Sequence, residues 1–109
     1  MQPECTIAVG YDYAPLPRIA DDMGSFIQTW ITKFGKPVIV SEYGAGAIPG
    51  MHHEPPIQYS EELQVAIHAE VHRAFDRFLL NGLVGEHVHS FHDFKQVLPT
   101  RSVPLCITV

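Results

Sequence analysis

Basic residues, cysteines and long apolar runs are scarce in this sequence. It has 7 Lys and Arg against 12 Asp and Glu, which gives a formal net charge of −5. Because no run of Lys or Arg occurs, we expect neither a nucleic acid nor a membrane as a partner. No apolar run approaches the ~20 residues that span a bilayer. The N-terminus also lacks the basic and apolar regions of a signal peptide.

The composition that is present is typical of one small globular domain. Of the 109 residues, 46% are hydrophobic and 17% are charged, which provides enough apolar material for a core. Cys5 and Cys106 lie near opposite ends of the chain. The sequence leaves open whether they stay free thiols or form a disulfide, because sequence does not define their geometry.

Hydrophobic periodicity predicts an amphipathic helix over residues 21–34. The apolar residues at helical spacing are Met23, Phe26, Ile27, Trp30, Ile31 and Phe34. Asp21 and Asp22 suit the N-terminal end of the helix dipole, and Gly35 suits the position just past the last turn. Pro17 is expected to lie upstream of the helix, outside it.

The remaining pattern predicts an α/β fold. Three β-branched residues at 38–40 are typical of a strand that helices cover. A Gly- and Pro-rich loop follows over residues 44–56, and a second helix begins at the N-cap Ser60. Asn81 and Gly82 end that helix, and residues 83–91 indicate another strand. The order helix, strand, long loop, helix, strand predicts a parallel sheet.

One carboxylate stands where the first strand ends. The string Ser41-Glu42-Tyr43-Gly44 places Glu42 at the carboxyl end of a buried strand, where ligand sites of parallel α/β folds gather. Glu42 is therefore either a catalytic group or a structural one that caps a loop amide or pairs with an arginine. The Tyr43 hydroxyl can orient Glu42, or the ring can pack beneath the loop.

The most specific signal is in residues 36–56, which read Lys-Pro-Val-Ile-Val-Ser-Glu-Tyr-Gly-Ala and, a little further on, Met-His-His-Glu-Pro-Pro. Supporting segments are residues 59–62, 84–86, 91–94 and 99–101. Together they resemble the β-glucuronidases of glycoside hydrolase family 2. The resemblance implies the C-terminal part of a (β/α)₈ TIM barrel, from about the end of strand six to strand eight, incomplete as a barrel.

The resemblance divides the chain into regions of one partial catalytic domain. Residues 1–20 correspond to the strand-six loop region, and residues 21–59 to a helix, the nucleophile strand and the active-site loop. Residues 60–94 correspond to a helix and the last barrel strand, and residues 95–109 to a tail. The family's acid/base glutamate follows an asparagine, and no Asn-Glu pair occurs here. We therefore expect a truncated fragment with little or no activity alone.

The activity that the resemblance implies is retaining hydrolysis of terminal β-D-glucuronides, without a cofactor and with Glu42 as nucleophile. It also implies substrate contacts from Tyr43, His89, Asp93 and Arg101. The family has a tryptophan and an asparagine where His89 and its neighbour stand, which weakens stacking on the sugar. Asp93 has a structural alternative, in which it pairs with an arginine or caps a loop. An animal family member would be lysosomal.

The sequence leaves two alternative functions open. In the first, the chain is a non-catalytic remnant or interaction module that self-associates through unpaired barrel surface. In the second, its seven histidines form a metal-binding module, since imidazole binds Zn, Ni and Cu. His68 and His72 share a helix face with Glu70 between them, although not in the order that zinc proteases use.

Overall fold

A computed structural model describes residues 4–6, 16–89 and 105–108, and it defines side chains over residues 16–89. The elements in chain order are β1 (Glu4–Thr6), α1 (Leu16–Phe34), β2 (Val38–Tyr43), α2 (Glu61–Phe78), β3 (Leu83–Val88) and β4 (Leu105–Thr108). The predicted helix, strand, loop, helix, strand order is thus observed. The terminal strands β1 and β4 add to it.

The sheet has the strand order β1-β4-β2-β3. The pair β2 and β3 is parallel, as the sequence predicts. Strand β4 is antiparallel to both of its neighbours, β2 and β1, so the sheet as a whole is mixed, and the predicted parallel pairing holds for β2 and β3. Cys5 is the backbone partner of Cys106. The choice between a disulfide and two thiols depends on side chains outside the described ones.

Helix α1 begins at Leu16, five residues before the predicted start. Pro17 lies in its first turn, where the backbone N–H has no partner within the helix and a proline costs nothing. Its exclusion from the helix was therefore wrong. Asp21 lies away from the helix end, and its carboxylate contacts Arg77 of α2 at 3.0 Å.

Helix α2 begins where the sequence predicts. The hydroxyl of Ser60 accepts a hydrogen bond from the Leu63 amide at 3.1 Å, which satisfies one of the donors that a helix leaves unpaired at its start. Glu61 and Glu62 occupy the first turn. Ser60 is fully buried, so this cap fixes both the start of α2 and the end of the loop before it.

The core lies between the two helices and one face of the sheet. Its buried apolar residues are Ile19, Met23, Ile27, Trp30, Val38, Val40, Tyr43, Ile67, Val71, Ala74, Phe75 and Leu83. At the amino end of the parallel pair, Gly82 has a φ of +116° and a Cβ there would lie 2.8 Å from Ile31. A side chain would therefore strain the turn that joins α2 to β3. No helix within residues 16–89 is long and apolar enough to cross a membrane.

Candidate active site

A break in strand register directs Glu42 away from the helices. Val38, Val40 and Tyr43 are all buried, although 40 and 43 differ by three positions and a regular strand alternates every two. The pairing of β2 with β4 shifts between Val40 and Glu42, which accounts for the change of phase. Tyr43 faces the helices, so strand alternation places its neighbour Glu42 on the opposite face of the sheet, which we call the open face because neither α1 nor α2 covers it.

The Tyr43 side chain ties β2 to two other elements. Its hydroxyl lies 3.1 Å from Nε2 of His72 on α2 and donates to Oε1 of Glu86 on β3 at 3.4 Å. The same Nε2 lies 3.2 Å from Glu86 Oε1. The ring of Tyr43 packs edge-on against Phe75. These three polar side chains, which we call the Tyr43–His72–Glu86 triangle, meet directly beneath the strand end that carries Glu42.

Burial and charge alter the titration of two groups in this region. Burial first, and then the nearby carboxylate of Glu86, raise the pKa of Tyr43 to about 12, so its hydroxyl stays protonated and able to donate. His68 packs against the Tyr43 ring. Burial and, second, the neighbouring His72 lower the pKa of His68. His68 is therefore neutral at physiological pH and does not compete for Glu86.

The carboxyl ends of β2 and β3 approach each other closely. The amide of His89 donates to the carbonyl of Tyr43 at 2.7 Å. At Gly44 a Cβ would lie 2.6 Å from the carbonyl oxygen of His89, a separation that backbone cannot relieve by a rotamer change. Glycine is therefore required directly after the Glu42-Tyr43 pair, for steric reasons rather than for chain flexibility.

The predicted loop after β2 folds back onto the start of α2. The Glu61 carboxylate accepts from the amide of Gly50 at 2.8 Å, and the Glu62 carboxylate accepts from the amide of His53 at 3.1 Å. Gln64 donates to the carbonyl of Ala45 at 2.8 Å. Two carboxylates and one amide of α2 thus fix a loop that composition alone indicates to be irregular.

His52 lies between the two carboxylates of the first turn of α2. Its Nδ1 is 2.7 Å from Glu62 and its Nε2 is 3.3 Å from Glu61. Because ionised carboxylates only accept hydrogen bonds, this arrangement is satisfied by the imidazolium form. The hydrogen bond to Glu62 raises the pKa of His52, and the same bond lowers the pKa of Glu62.

The structure brings together some of the predicted site residues. Glu42 and Tyr43 lie at the carboxyl end of β2 and His89 directly follows β3, while Asp93 and Arg101 lie outside the described residues. Tyr43 is only 4% exposed, and its hydroxyl is used by the triangle, so the sugar contact predicted for it stays a prediction. Within residues 16–89, no three side chains of His, Cys, Asp and Glu meet as a metal site requires.

Sequence reasoning missed the parts that His72 and Glu86 play. His72 stands in a His-x-Glu-x-His pattern that directed attention to metals, and Glu86 lies within a strand rather than at its end. One sequence signal could have related them: the apolar helix face over residues 68–75 also carries histidines. A polar residue on an apolar helix face needs a partner from the sheet that the helix covers.

Comparison with known proteins agrees with this architecture. The model of glycosyl hydrolases family 2, TIM barrel domain, matches residues 7–104. A β-glucuronidase of Paenibacillus borealis is 47% identical over 68 residues, which are 62% of this chain and 11% of that protein. The chain therefore belongs to glycosyl hydrolase family 2. The predicted fold class is confirmed as a partial TIM-barrel piece whose sheet is not closed.

Solved structures of the same family superpose on the chain. A β-glucuronidase from an uncultured Clostridium species gives a TM-score of 0.71 at 36% identity, over 78% of this chain and 15% of that one. The β-glucuronidase of Bifidobacterium dentium, solved with coumarin-3-O-glucuronide, gives 0.67 at 28% identity, over 78% and 13%. The chain thus spans between 11% and 15% of the length of these proteins.

Proposed function

We propose that this chain is the nucleophile-bearing segment of a retaining β-D-glucuronide hydrolase, with Glu42 as the nucleophile. The observation that carries the proposal is the position of Glu42 at the carboxyl end of β2, on the open face of the sheet. In TIM-barrel enzymes, reactive groups lie at the carboxyl ends of the strands and point to the barrel mouth. The name of the Bifidobacterium complex supports a glucuronide as the substrate class.

The reaction of Glu42 is a double displacement at the anomeric carbon. In the first step the Glu42 carboxylate forms a bond to that carbon, and the bond to the glycosidic oxygen breaks as an acid protonates the leaving group. In the second step the group that acted as the acid takes a proton from water, whose oxygen attacks the same carbon and releases the Glu42 carboxylate. Two inversions leave the anomeric configuration unchanged.

We expect the acid/base group of this reaction to come from another part of the barrel, because no Asn-Glu pair occurs in this sequence. Retaining chemistry needs two carboxyl groups about 5–5.5 Å apart. Glu86 does not supply the second one, because it lies on the helix side, bonded to Tyr43 and His72, whereas Glu42 faces away. We therefore expect the 109-residue chain alone to have little or no turnover, and we propose His89, Asp93 and Arg101 as sugar contacts of the complete site.

A segment exchange tests the proposal. The corresponding barrel segment of the Clostridium β-glucuronidase is replaced by residues 7–104 of this chain, and hydrolysis of a chromogenic β-D-glucuronide is measured. We expect turnover that Glu42→Gln lowers by roughly 10⁴-fold or more, since the amide cannot act as the nucleophile. Asp76→Asn is the matched control, because it makes the same chemical change on the exposed face of α2.

Three outcomes of the segment exchange would each contradict one part of the proposal. Turnover that Glu42→Gln leaves intact rules out Glu42 as the nucleophile. A folded chimera without turnover rules out this segment as a competent part of the enzyme. An inverted product anomer, read by NMR, rules out the double displacement.

Apolar surface beside β3 favours a second candidate function, self-association. Val84 and Val88 are 64% and 46% exposed, and Leu80 is 94% exposed. Strand β3 ends the described sheet, and an apolar strand at an edge pairs readily with another chain. A concentration-dependent increase in mass that Val84→Lys abolishes would support a module of this kind. A monomer at all concentrations would contradict it.

A further inference from the structure

The Tyr43–His72–Glu86 triangle joins three elements at one point, directly below the reactive strand end. Tyr43 comes from β2, His72 from α2 and Glu86 from β3, and their polar atoms lie 3.1–3.4 Å apart. We infer that Tyr43, His72 and Glu86 are positioning residues that hold the carboxyl end of β2 so that Glu42 keeps its direction toward the open face. This inference rests on the proposed role of Glu42.

Glu42 depends on its backbone for direction. The side-chain contacts at this strand end hold its neighbour Tyr43 rather than Glu42 itself. Its orientation therefore follows from the backbone at 42 and 43, which lies just after the register shift in β2. Tyr43 anchors that backbone twice, through its side chain in the triangle and through its carbonyl, which accepts from the His89 amide at 2.7 Å.

Hydrogen-bond geometry fixes one proton of His72 and the position of its other nitrogen. Its Nδ1 lies 2.9 Å from the carbonyl oxygen of His68, and a carbonyl only accepts, so Nδ1 carries a proton. Its Nε2 lies 3.1 Å from the Tyr43 hydroxyl and 3.2 Å from the Glu86 carboxylate, which closes the triangle. The Tyr43 hydroxyl donates to the Glu86 carboxylate, and this bond is charge-assisted because its acceptor is ionised.

Other titratable groups around the triangle do not replace its members. On α2, His68 is the nearest, and its pKa is lowered by burial and by His72, so it stays neutral. On the sheet, Tyr43 stays protonated because its pKa is raised to about 12. Arg73, the next cation on α2, is paired with Glu70 at 3.3 Å. Glu86 is therefore the one carboxylate that His72 contacts among residues 16–89.

Amide hydrogen exchange in the 109-residue chain separates positioning from general stabilisation. The two ends of the β2–β3 pair each have a reporter bond: His89 N–H to Tyr43 at the carboxyl end, and Val38 N–H to Gly82 at the amino end. We expect Tyr43→Phe and Glu86→Gln to speed exchange of the His89 amide by about tenfold, the cost of one charge-assisted bond. The Val38 amide should change by less than about twofold.

Two features make the result decisive. Tyr43→Phe keeps the ring that packs on Phe75, and Trp30 on α1 reports independently whether the fold is intact. If both amides speed up equally, or if neither does, the positioning role is overturned. Asp76→Asn on the exposed face of α2 serves as the carboxylate-to-amide control and should change neither amide.

A kinetic measurement links the triangle to Glu42. In the segment-exchange enzyme, Glu86→Gln should lower kcat by about tenfold while KM stays within about twofold, because misdirecting a reactive group costs rate rather than binding. A segment-exchange enzyme without glucuronide turnover contradicts the proposed function. The amide hydrogen-exchange result then decides whether the triangle has a positioning role. An active enzyme in which KM changes and kcat does not contradicts the positioning role.

Discussion

The two ends of the β2–β3 pair are built from different interactions. At the amino end, Val38 and Leu83 are fully or almost fully buried, and the link to the preceding turn is a backbone bond from Val38 to Gly82. At the carboxyl end, the strands are linked through polar side chains, Tyr43 and Glu86, and through close backbone contact. The same two strands thus change from an apolar end to a polar one within six residues each.

The difference indicates that the amino end contributes mainly to the stability of the fold, whereas the carboxyl end defines the orientation of the side chains there. Burying apolar area contributes most of the free energy of folding and needs little angular precision. Hydrogen bonds contribute less net stability but define angles. In parallel barrels the amino ends of strands contribute stability and the carboxyl ends carry the chemistry. We therefore expect substitutions at the amino end to alter the free energy of unfolding, and substitutions at the carboxyl end to alter local geometry.

The largest expected effect on stability is at the amino end. Leu83→Ala removes a side chain that is 3% exposed, which should lower the free energy of unfolding by about 2–4 kcal/mol. Urea unfolding of the 109-residue chain, followed by Trp30 fluorescence, measures it. Val84→Ala in the same strand is the control, because Val84 is 64% exposed and should cost less than about 0.5 kcal/mol. Equal costs for the two variants would contradict the assigned core.

A smaller loss is expected from Gly44→Ala at the carboxyl end. The new Cβ would lie 2.6 Å from the carbonyl oxygen of His89, so the strand ends must separate, at a cost of about 1–3 kcal/mol. Exchange of the His89 amide should speed up more than exchange of the Val38 amide. Gly46→Ala is the matched control, since its nearest neighbour is the Tyr59 ring at 3.8 Å. If both glycine variants behave alike, the strand ends do not approach each other as described.

A pH-dependent effect is expected in the loop after β2. His52 has a raised pKa and Glu62 a lowered one, so their contact is complete between about pH 4.5 and 6.5, where both are charged even when unpaired. It is lost as the pH rises through the raised pKa of His52, and also as it falls through the lowered pKa of Glu62. Exchange at the His53 amide, corrected for its intrinsic rate, should therefore speed up by about two- to fivefold above neutral pH.

His52→Gln should remove this pH dependence of the loop. Glu54→Gln, in the same loop and exposed, should retain it. A dependence that persists in His52→Gln would assign the titration to another group. We expect this pH effect on hydrogen exchange only in the loop after β2. Exchange of the Val38 amide, at the amino end of the strand, should show no such effect at any of these pH values.

Local signals in the sequence defined the apolar half of the molecule. The helical stripe containing Ile27 and Trp30, the β-branched strand at Val38 and the N-cap at Ser60 were all predicted, because each depends on residues within one turn or one strand. The start of α1 was wrong because a proline indicates a helix break, yet Pro17 lies in the first turn, where proline is tolerated. That distinction depends on position in the helix, which residue type does not define.

The polar half depends on relations that sequence does not contain. Regular alternation from Val38 and Val40 would place Glu42 on the helix side, and only the register shift in β2 turns it to the open face. Tyr43 contacts His72 across 29 positions and Glu86 across 43. Such contacts depend on strand register and on the rotation of α2. The family resemblance directed attention to Glu42, whereas the triangle beneath it required the three-dimensional structure.

The smallest expected effect tests the comparison itself. Asp21 of α1 and Arg77 of α2 form an ion pair at 3.0 Å, with side chains that are 72% and 47% exposed. Asp21→Asn should therefore cost less than about 1 kcal/mol, and less still at high salt. Asp22→Asn removes the same charge from the neighbouring position and is the control for net charge.

This pair joins the helices and belongs to neither end of the β2–β3 pair. Its loss should act through overall stability, so that the amides of Val38 and His89 speed up to the same small extent, provided that both exchange by global unfolding. Tyr43→Phe, in contrast, is expected to speed hydrogen exchange at the His89 amide alone. If Asp21→Asn also affected His89 alone, the carboxyl end would simply be the weaker end of the sheet, and selective exchange there would say nothing about the direction of Glu42.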